Sequence, residues 1–387
     1  MEIEKTLEDK QLHRFLLVAN VSKEHIRKFH IPFILHMKEK GCVVDVACRM
    51  DEPVPECDHA YDLPCNRNPF RGGITKSVFI LRKALKENKY DAVICNTLTG
   101  GMIARLAKKM LGSNAPKLFY INHGLHFFEG ASLSRWIMGY PLEKMLAPLT
   151  DVLVTINTAD YQMAKKHLKT KAIERIHGIG VNLDRFRNCN LNKDEKAELR
   201  HSIGLGEDDF VLTYVAEIND NKNQAMLLET FRIVQLTIPR VKLLLGGPEH
   251  HDGKLRATAD AKGLIGNVVF LGWRNDIPEL LNISDIYVAS SKSEGLGLNL
   301  IEAMACNLPV VASRNRGHAE IIQHEQNGFL VEQGDAKEMA KYVVQLYEDE
   351  MLRNSIVEQA QRDIVKFEVN SVIKEEEHIL YSYIDKN

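Results

Sequence analysis

Residues Ser284–Ser313 read SDIYVASSKSEGLGLNLIEAMACNLPVVAS, and the fold follows from how this stretch divides. Asp285 to Ser290 is a short apolar run of β-formers. After a glycine-broken loop from Lys292 to Gly297, the spacing of Leu298, Ile301, Ala305 and Leu308 is helical. Pro309 stops the helix and Val310 to Ala312 reads as the next strand. The unit is βαβ, with its loop at the carboxyl end of a parallel strand, where ligands of open α/β sheets bind. Gly295 and Gly297 remove side chains where the helix begins, so backbone N–H groups and the positive end of the dipole can meet a phosphate. A carboxylate accepts two hydrogen bonds from vicinal hydroxyls. Glu302, about one turn into the helix, therefore suits a ribose, and Glu294, in the loop, suits a sugar beyond the phosphates. The competing reading is an ordinary strand-loop-helix with solvated glutamates.

The pattern E-G-L-G-L-x-x-x-E followed by A-M-A-x-x-x-P-V-V-A, over Glu294–Ala312, resembles the donor-site signature of the family 4 retaining glycosyltransferases. The resemblance extends over about residues 14 to 383. It implies the GT-B fold: α/β, two Rossmann-like domains with doubly wound parallel sheets facing a central cleft, and C-terminal helices packing back toward the first domain.

A chain of 387 residues with 45% hydrophobic and 26% charged residues fits two or three soluble domains. No apolar run approaches the roughly 20 residues of a membrane-spanning helix. The start, MEIEKTLEDKQLH, lacks the apolar core of a secretion signal, so the expected location is cytoplasmic, with the inner face of the membrane as an option. The seven cysteines show no metal-binding spacing and are expected to be reduced thiols. Residues 1 to 180 carry 27 Lys and Arg against 19 Asp and Glu, whereas residues 181 to 387 carry 23 against 33. A basic first half suits a peripheral membrane contact or a diphosphate-linked lipid, or is simply a solvated lysine surface. No motif supports nucleic-acid binding.

Residues 1–12 read as a polar lead-in, 13–185 as the first, acceptor domain, 196–365 as the donor domain, and 366–387 as a helix crossing back to the first. In the first domain, strands are expected at Phe15–Ala19, Val43–Ala47, His59–Leu63, Ala92–Asn96, Lys117–Ile121 and Val152–Ile156. Helices are expected at Val21–Lys40, Thr75–Asn88, Gly101–Met110 and Ala159–Leu168, the alternation of a doubly wound sheet. The turn after the first strand, ANVSK, lacks G-x-G-x-x-G, which argues against a dinucleotide oxidoreductase. The apolar stretch Ser132–Leu149 is either a helix pair facing a lipid acceptor or a buried helix of the domain.

In the resemblance, a histidine directly after the strand at 117–121 serves the transferred sugar. His123 matches it, with His126 as the rival and His30 as a possible acceptor contact. The H-x-x-H spacing of His123 and His126 suggests a metal, but no third ligand stands nearby in sequence, so no metal is expected. Lys222, in the loop after the strand Phe210–Ala216, matches a lysine that neutralises the donor diphosphate, whereas Glu217 stands where many members carry an arginine. Trp273 and Arg274 match the turn that supports the base, although a surface turn is the alternative. Gly295, Gly297, Leu298 and Asn299 complete the expected donor contacts.

The expected activity is a retaining, metal-independent transfer of a hexose or N-acetylhexosamine from a nucleotide diphosphate sugar, UDP foremost, to a hydroxyl. The acceptor expected from the resemblance to bacterial capsule and exopolysaccharide enzymes is a lipid-linked saccharide. His123 and Glu294 would act at the reacting sugar, with no cofactor beyond the nucleotide sugar. A nucleotide-sugar epimerase or phosphorylase of the same fold, and a catalytically silent nucleotide-sugar-binding protein, are the alternatives.

Overall fold

Short apolar runs bounded by polar turns become buried parallel strands, because a strand covered on both faces must be apolar on both. A computed structural model describes residues 13–66, 72–250 and 253–385. The lead-in read over residues 1–12 lies outside the described residues. The chain divides into two compact units, one of residues up to Gly180 and from Val369 onward, the other Val181–Glu368. The segment between the two expected domains, 186–195, therefore belongs with the second unit, as does the helix Leu183–Arg187.

The first unit is built on β1 (Arg14–Val21), β2 (Val43–Arg49), β3 (Ala60–Asp62), β4 (Ala92–Asn96), β5 (Lys117–Asn122), β6 (Val152–Thr155) and β7 (Ala172–Arg175), in the order β3-β2-β1-β4-β5-β6-β7. Every pairing is parallel. The strand order reverses between β1 and β4, so the loops leaving them diverge and open a crevice at that point. Phe15, Leu16, Leu17 and Val18 of β1 are wholly buried, each contributing about 1.5–3 kcal/mol through its apolar surface. Gly100 explains why the next helix, Leu98–Leu111, crosses β1 so closely. A Cβ there would lie 2.9 Å from the Ala19 Cα.

Three sequence expectations change here. β1 runs on to Val21, and the single helix expected over Val21–Lys40 is a π-helical segment, Ser22–His30, followed by an α-helix, Ile31–Glu39. Pro32 has no N–H to return to the preceding turn, so the regular hydrogen-bond ladder is interrupted where the two meet. β7 was missed, because its residues are only half-buried. The stretch Ser132–Leu149 forms one α-helix, Leu133–Leu146, closed by a 3-10 turn. It buries a charge and exposes its apolar side. Glu143 accepts from Arg105 Nη1 at 2.7 Å and from Tyr120 Oη at 2.9 Å, all three nearly inaccessible, while Leu133, Ile137, Met138 and Met145 are 64–75% exposed.

The second unit repeats the plan with β8 (Phe210–Val215), β9 (Val241–Gly246), β10 (Val268–Gly272), β11 (Ile286–Ala289), β12 (Val310–Ser313) and β13 (Phe329–Val331), in the order β10-β9-β8-β11-β12-β13. Its reversal falls between β8 and β11. After β13 come helices Ala336–Glu348, Glu350–Asp363 and Val369–Ile384, the last of them within the stretch 366–387 expected to be a helix. Only the last joins the first unit, held by Glu377 to His36 at 2.9 Å and by Glu375 to His177 at 2.7 Å. No helix among the described residues is long and apolar enough to cross a membrane.

Candidate active site

The two loops at the reversal of the second sheet are tied together before any ligand is considered. Lys292 N–H donates to Asn221 O at 2.8 Å, Asn221 Nδ2 to Ser293 O at 3.0 Å and Ser290 Oγ to Lys222 O at 2.7 Å. This lacing aims Lys222 and Glu294, 72 residues apart in sequence, at each other: Nζ lies 2.7 Å from Oε1. The ammonium is thus held at the head of the helix Leu298–Ala305 by a partner that a phosphate can replace.

That helix head is tighter than the sequence suggests. Gly297 has φ −87° and ψ 75°, an inverse γ-turn, and Leu298 N–H is spent on Leu296 O at 3.2 Å rather than left open as expected. Glycine is required at 297 because a Cβ would meet the His318 ring at 2.9 Å. Asn299 turns its side-chain amide back to Val215 O at 3.2 Å, at the end of β8. Glu302 is the titratable group most altered by this setting. Burial lifts its carboxyl to about 7, against a smaller opposing pull from Arg185. A carboxyl poised near neutrality gains its charge readily once hydroxyl donors arrive.

Asn315–His318 form a buttress behind this loop that the sequence reading did not include. Asn315 Nδ2 donates to Ser291 O at 2.9 Å while its Oδ1 accepts the N–H groups of Gly317 and His318, both at 3.0 Å. Arg316 Nε donates to Glu294 O at 3.2 Å. Gly317 packs where a Cβ would lie 2.8 Å from that of Glu294. The buried His318 ring is held neutral, its pKa lowered to about 4 by burial. The R-N-R-G-H run directly after β12 was the available signal: an Asn-x-Gly turn with a histidine, at a strand's carboxyl end.

The remaining donor candidates are less engaged. Glu217 is exposed, 3.5 Å from His250, so the position expected to hold an arginine turns an acid toward solvent. Trp273 is 65% exposed with Nε1 donating to Asn275 Oδ1 at 3.1 Å. Arg274 is paired with Asp276, its Nε 2.8 Å from Oδ1. The turn therefore stands as a surface feature in the chain by itself.

In the first unit, His123 follows β5 and its Nε2 meets Asn96 Oδ1 at 2.8 Å, at the carboxyl end of β4. Burial lowers its pKa to about 4. His30, offered as an acceptor contact, is only 3% exposed, and burial together with the neighbouring His123 brings its pKa to about 3. His126 is exposed and lies against the helix Leu133–Leu146, where a Cβ on Gly139 would meet its own at 2.7 Å. A wide concavity of about 900 Å³, lined by Arg82, Lys86, Lys89, Lys108, Lys117 and Lys171 among others, lies at the opposite, amino ends of the strands. Asp151 already takes Lys108 and Lys171, and ligands of such sheets bind at the other end, so no role is assigned to it.

Two family descriptions match the two units: "Glycosyltransferase Family 4" over residues 33–185 and "Glycosyl transferases group 1" over residues 195–363. A Bacillus subtilis (strain 168) protein that carries the name glycosyltransferase EpsD is 36% identical over 362 residues, spanning 93% of this chain and 94% of that one. The chain belongs to glycosyltransferase family 4. A second relative, 29% identical over 73% of this chain and 74% of its own, is the Escherichia coli UDP-Gal:alpha-D-GlcNAc-diphosphoundecaprenol alpha-1,3-galactosyltransferase. Among solved structures, HepE of Anabaena in complex with UDP superposes with a TM-score of 0.78 at 20% identity, covering 96% of this chain and all of that one. This family 4 glycosyltransferase thus has the two-unit GT-B fold expected of it.

Proposed function

We propose that this glycosyltransferase moves a hexose or N-acetylhexosamine from a UDP-sugar to a hydroxyl of a lipid-linked saccharide, with retention and without a metal ion. The observation that carries the reading is the Lys222–Glu294 pair, 2.7 Å apart at the reversal of the second sheet, with Glu302 one turn inside the helix behind it. When the diphosphate arrives, the ammonium turns from Glu294 to the phosphate oxygens. One exchange then neutralises the leaving group and frees the Glu294 carboxylate for hydroxyls of the transferred sugar. Glu302 accepts from the ribose hydroxyls. The bond from the anomeric carbon to the diphosphate breaks, the acceptor oxygen bonds to that carbon on the same face, and its proton passes to the leaving phosphate. His123 is assigned to the transferred sugar by the family resemblance. Held neutral by burial, it serves as a hydrogen-bond partner and not as a cation.

The acceptor class is supported by the diphosphoundecaprenol substrate in the name of the Escherichia coli relative and by the inverted helix Leu133–Leu146. Its exposed Leu133, Ile137, Met138 and Met145 lie beside Arg135 and Lys144, the composition of a face that rests on an anionic bilayer.

The test is transfer from radiolabelled UDP-sugars to a diphosphoundecaprenol-linked saccharide in detergent, with and without chelator. Lys222→Ala and Glu294→Ala should each lose roughly 100- to 1,000-fold in turnover. Near-normal transfer by both variants, or its abolition by chelator alone, would overturn the mechanism. UDP release that needs no acceptor would point to another reaction.

A further inference from the structure

Three histidines that the sequence scatters over nearly 100 positions converge in the first unit. One ring nitrogen from each of His25, His30 and His123 lies within 4.8 Å of those of the other two. We propose that this trio is a binding site for a divalent transition ion of the zinc class, with the fourth position open to solvent.

The first support is the backbone that brings two of them together. His25 and His30 are five residues apart, a spacing that on an α-helix turns their side chains about 140° from each other. They lie in the π-helical segment Ser22–His30, whose wider turn joins residues five apart and brings the two rings to one side, centroids 4.9 Å apart and planes tilted by 51°. Such segments are rare and cluster at functional sites. The second is distance. Two imidazole nitrogens bound tetrahedrally at about 2.0–2.1 Å from zinc stand about 3.3 Å apart, and His25 Nε2 and His30 Nε2 are 3.2 Å apart.

The third is the order imposed on His123. Its Nε2–H donates to Asn96 Oδ1 at 2.8 Å, and Asn96 is wholly buried. A metal-ligating histidine commonly gives its other N–H to a carbonyl oxygen in this way, which fixes the ring and leaves the lone pair on the second nitrogen. The His123 ring centroid lies 5.0 Å from that of His25 and 5.9 Å from that of His30. His25 and His123 are half-buried, which leaves an approach from solvent, and His30 is backed by Phe29, Phe33 and Ile121. Three neutral imidazoles and no thiolate select zinc, cobalt, nickel or copper over magnesium or calcium. The pair His123 and His126, which alone suggested a metal in the sequence, is not the set: His25 and His30 supply the missing ligands.

His123 would give the ion the ring nitrogen that the proposed function turns to the transferred sugar, so on that reading ion and donor sugar exclude one another, and ion binding itself is read without activity. Equilibrium dialysis of the full chain against Zn²⁺ should give one tight equivalent, and Co²⁺ should give the intense visible band of four-coordinate cobalt. His25→Ala, at a half-exposed position that leaves the core intact, and His30→Gln should each weaken binding by at least about 10- to 100-fold, the loss seen even for outer-shell partners. His126→Ala should leave it unchanged. Loss of the equivalent on His126→Ala, retention on His25→Ala with circular dichroism unchanged, or no bound ion in the wild type each overturns the proposal.

Discussion

Glu376→Gln should stabilise the first unit, by an amount that grows with pH. Glu376 sits on the helix Val369–Ile384, 9% exposed, lining a small cavity with Phe29, Phe33, Ile121, Ile176, Ile373 and the neutral His30, and its Oε1 has no hydrogen-bond partner. Burial lifts its carboxyl from 4.5 to about 8. Between those values the unfolded chain has released its proton and the folded chain has kept it, so unfolding releases a proton and stability falls as pH rises. At 1.36 kcal/mol per pH unit, the loss attributable to this residue between pH 5 and 8 is about 3–4 kcal/mol. Glutamine reproduces the neutral carboxyl without the ionisation.

The wild-type profile also contains the opposite slope. His30, His123 and His318, held neutral to about 3, 4 and 4, take up protons on unfolding below pH 6.5 and so lose stability as pH falls. The difference between wild type and variant cancels them. Urea denaturation followed by fluorescence reads the correct unit. Of the two tryptophans, Trp136 packs between Phe127 and His167 in the first unit, whereas Trp273 is already 65% exposed. A difference that stays flat from pH 5 to 8, or a variant less stable than wild type at pH 8, would refute the argument.

Glu143→Ala should cost about 3–5 kcal/mol in the same assay, because it leaves the Arg105 guanidinium buried without its carboxylate. A loss under 1 kcal/mol would mean that the pair is solvated. For the donor site, calorimetric affinity for a UDP-sugar should rise about tenfold from pH 6 to 8 as Glu302 passes through its pKa of about 7. Glu302→Gln should bind more weakly with a flat profile, and an unchanged slope in that variant would remove Glu302 from the ribose.

Much of the fold was legible because it is a local matter. Strands β1, β2, β4, β5, β6 and β8–β13 announce themselves as apolar runs, and Gly297 marks where one helix starts. That helix ends at Ala305, short of the Leu308 expected, because Asn307 turns left-handed (φ 61°) two residues before Pro309. The half-buried β7 and the short helices Lys254–Ala261 and Ile277–Asn282 escaped because little apolar pattern distinguishes them from loops. The π-helical turn escaped because it is a change of hydrogen-bond partner within a sequence that reads as helix either way.

The sequence by itself determined the alternation of strands and helices, the two glutamates around a glycine-broken helix start, and the family those residues announce. Each depends on side-chain size, backbone freedom and spacing within a single turn or loop. Tertiary structure alone decided which distant groups meet. Lys222 comes to Glu294 because β8 and β11 are neighbours, and His25 and His30 reach His123 across the strand order β1-β4-β5. Glu376 acquired its unusual proton because its helix packs against the first sheet's unit instead of continuing the second. Such meetings depend on the order in which strands pair, a property of the whole chain's burial that no short stretch encodes.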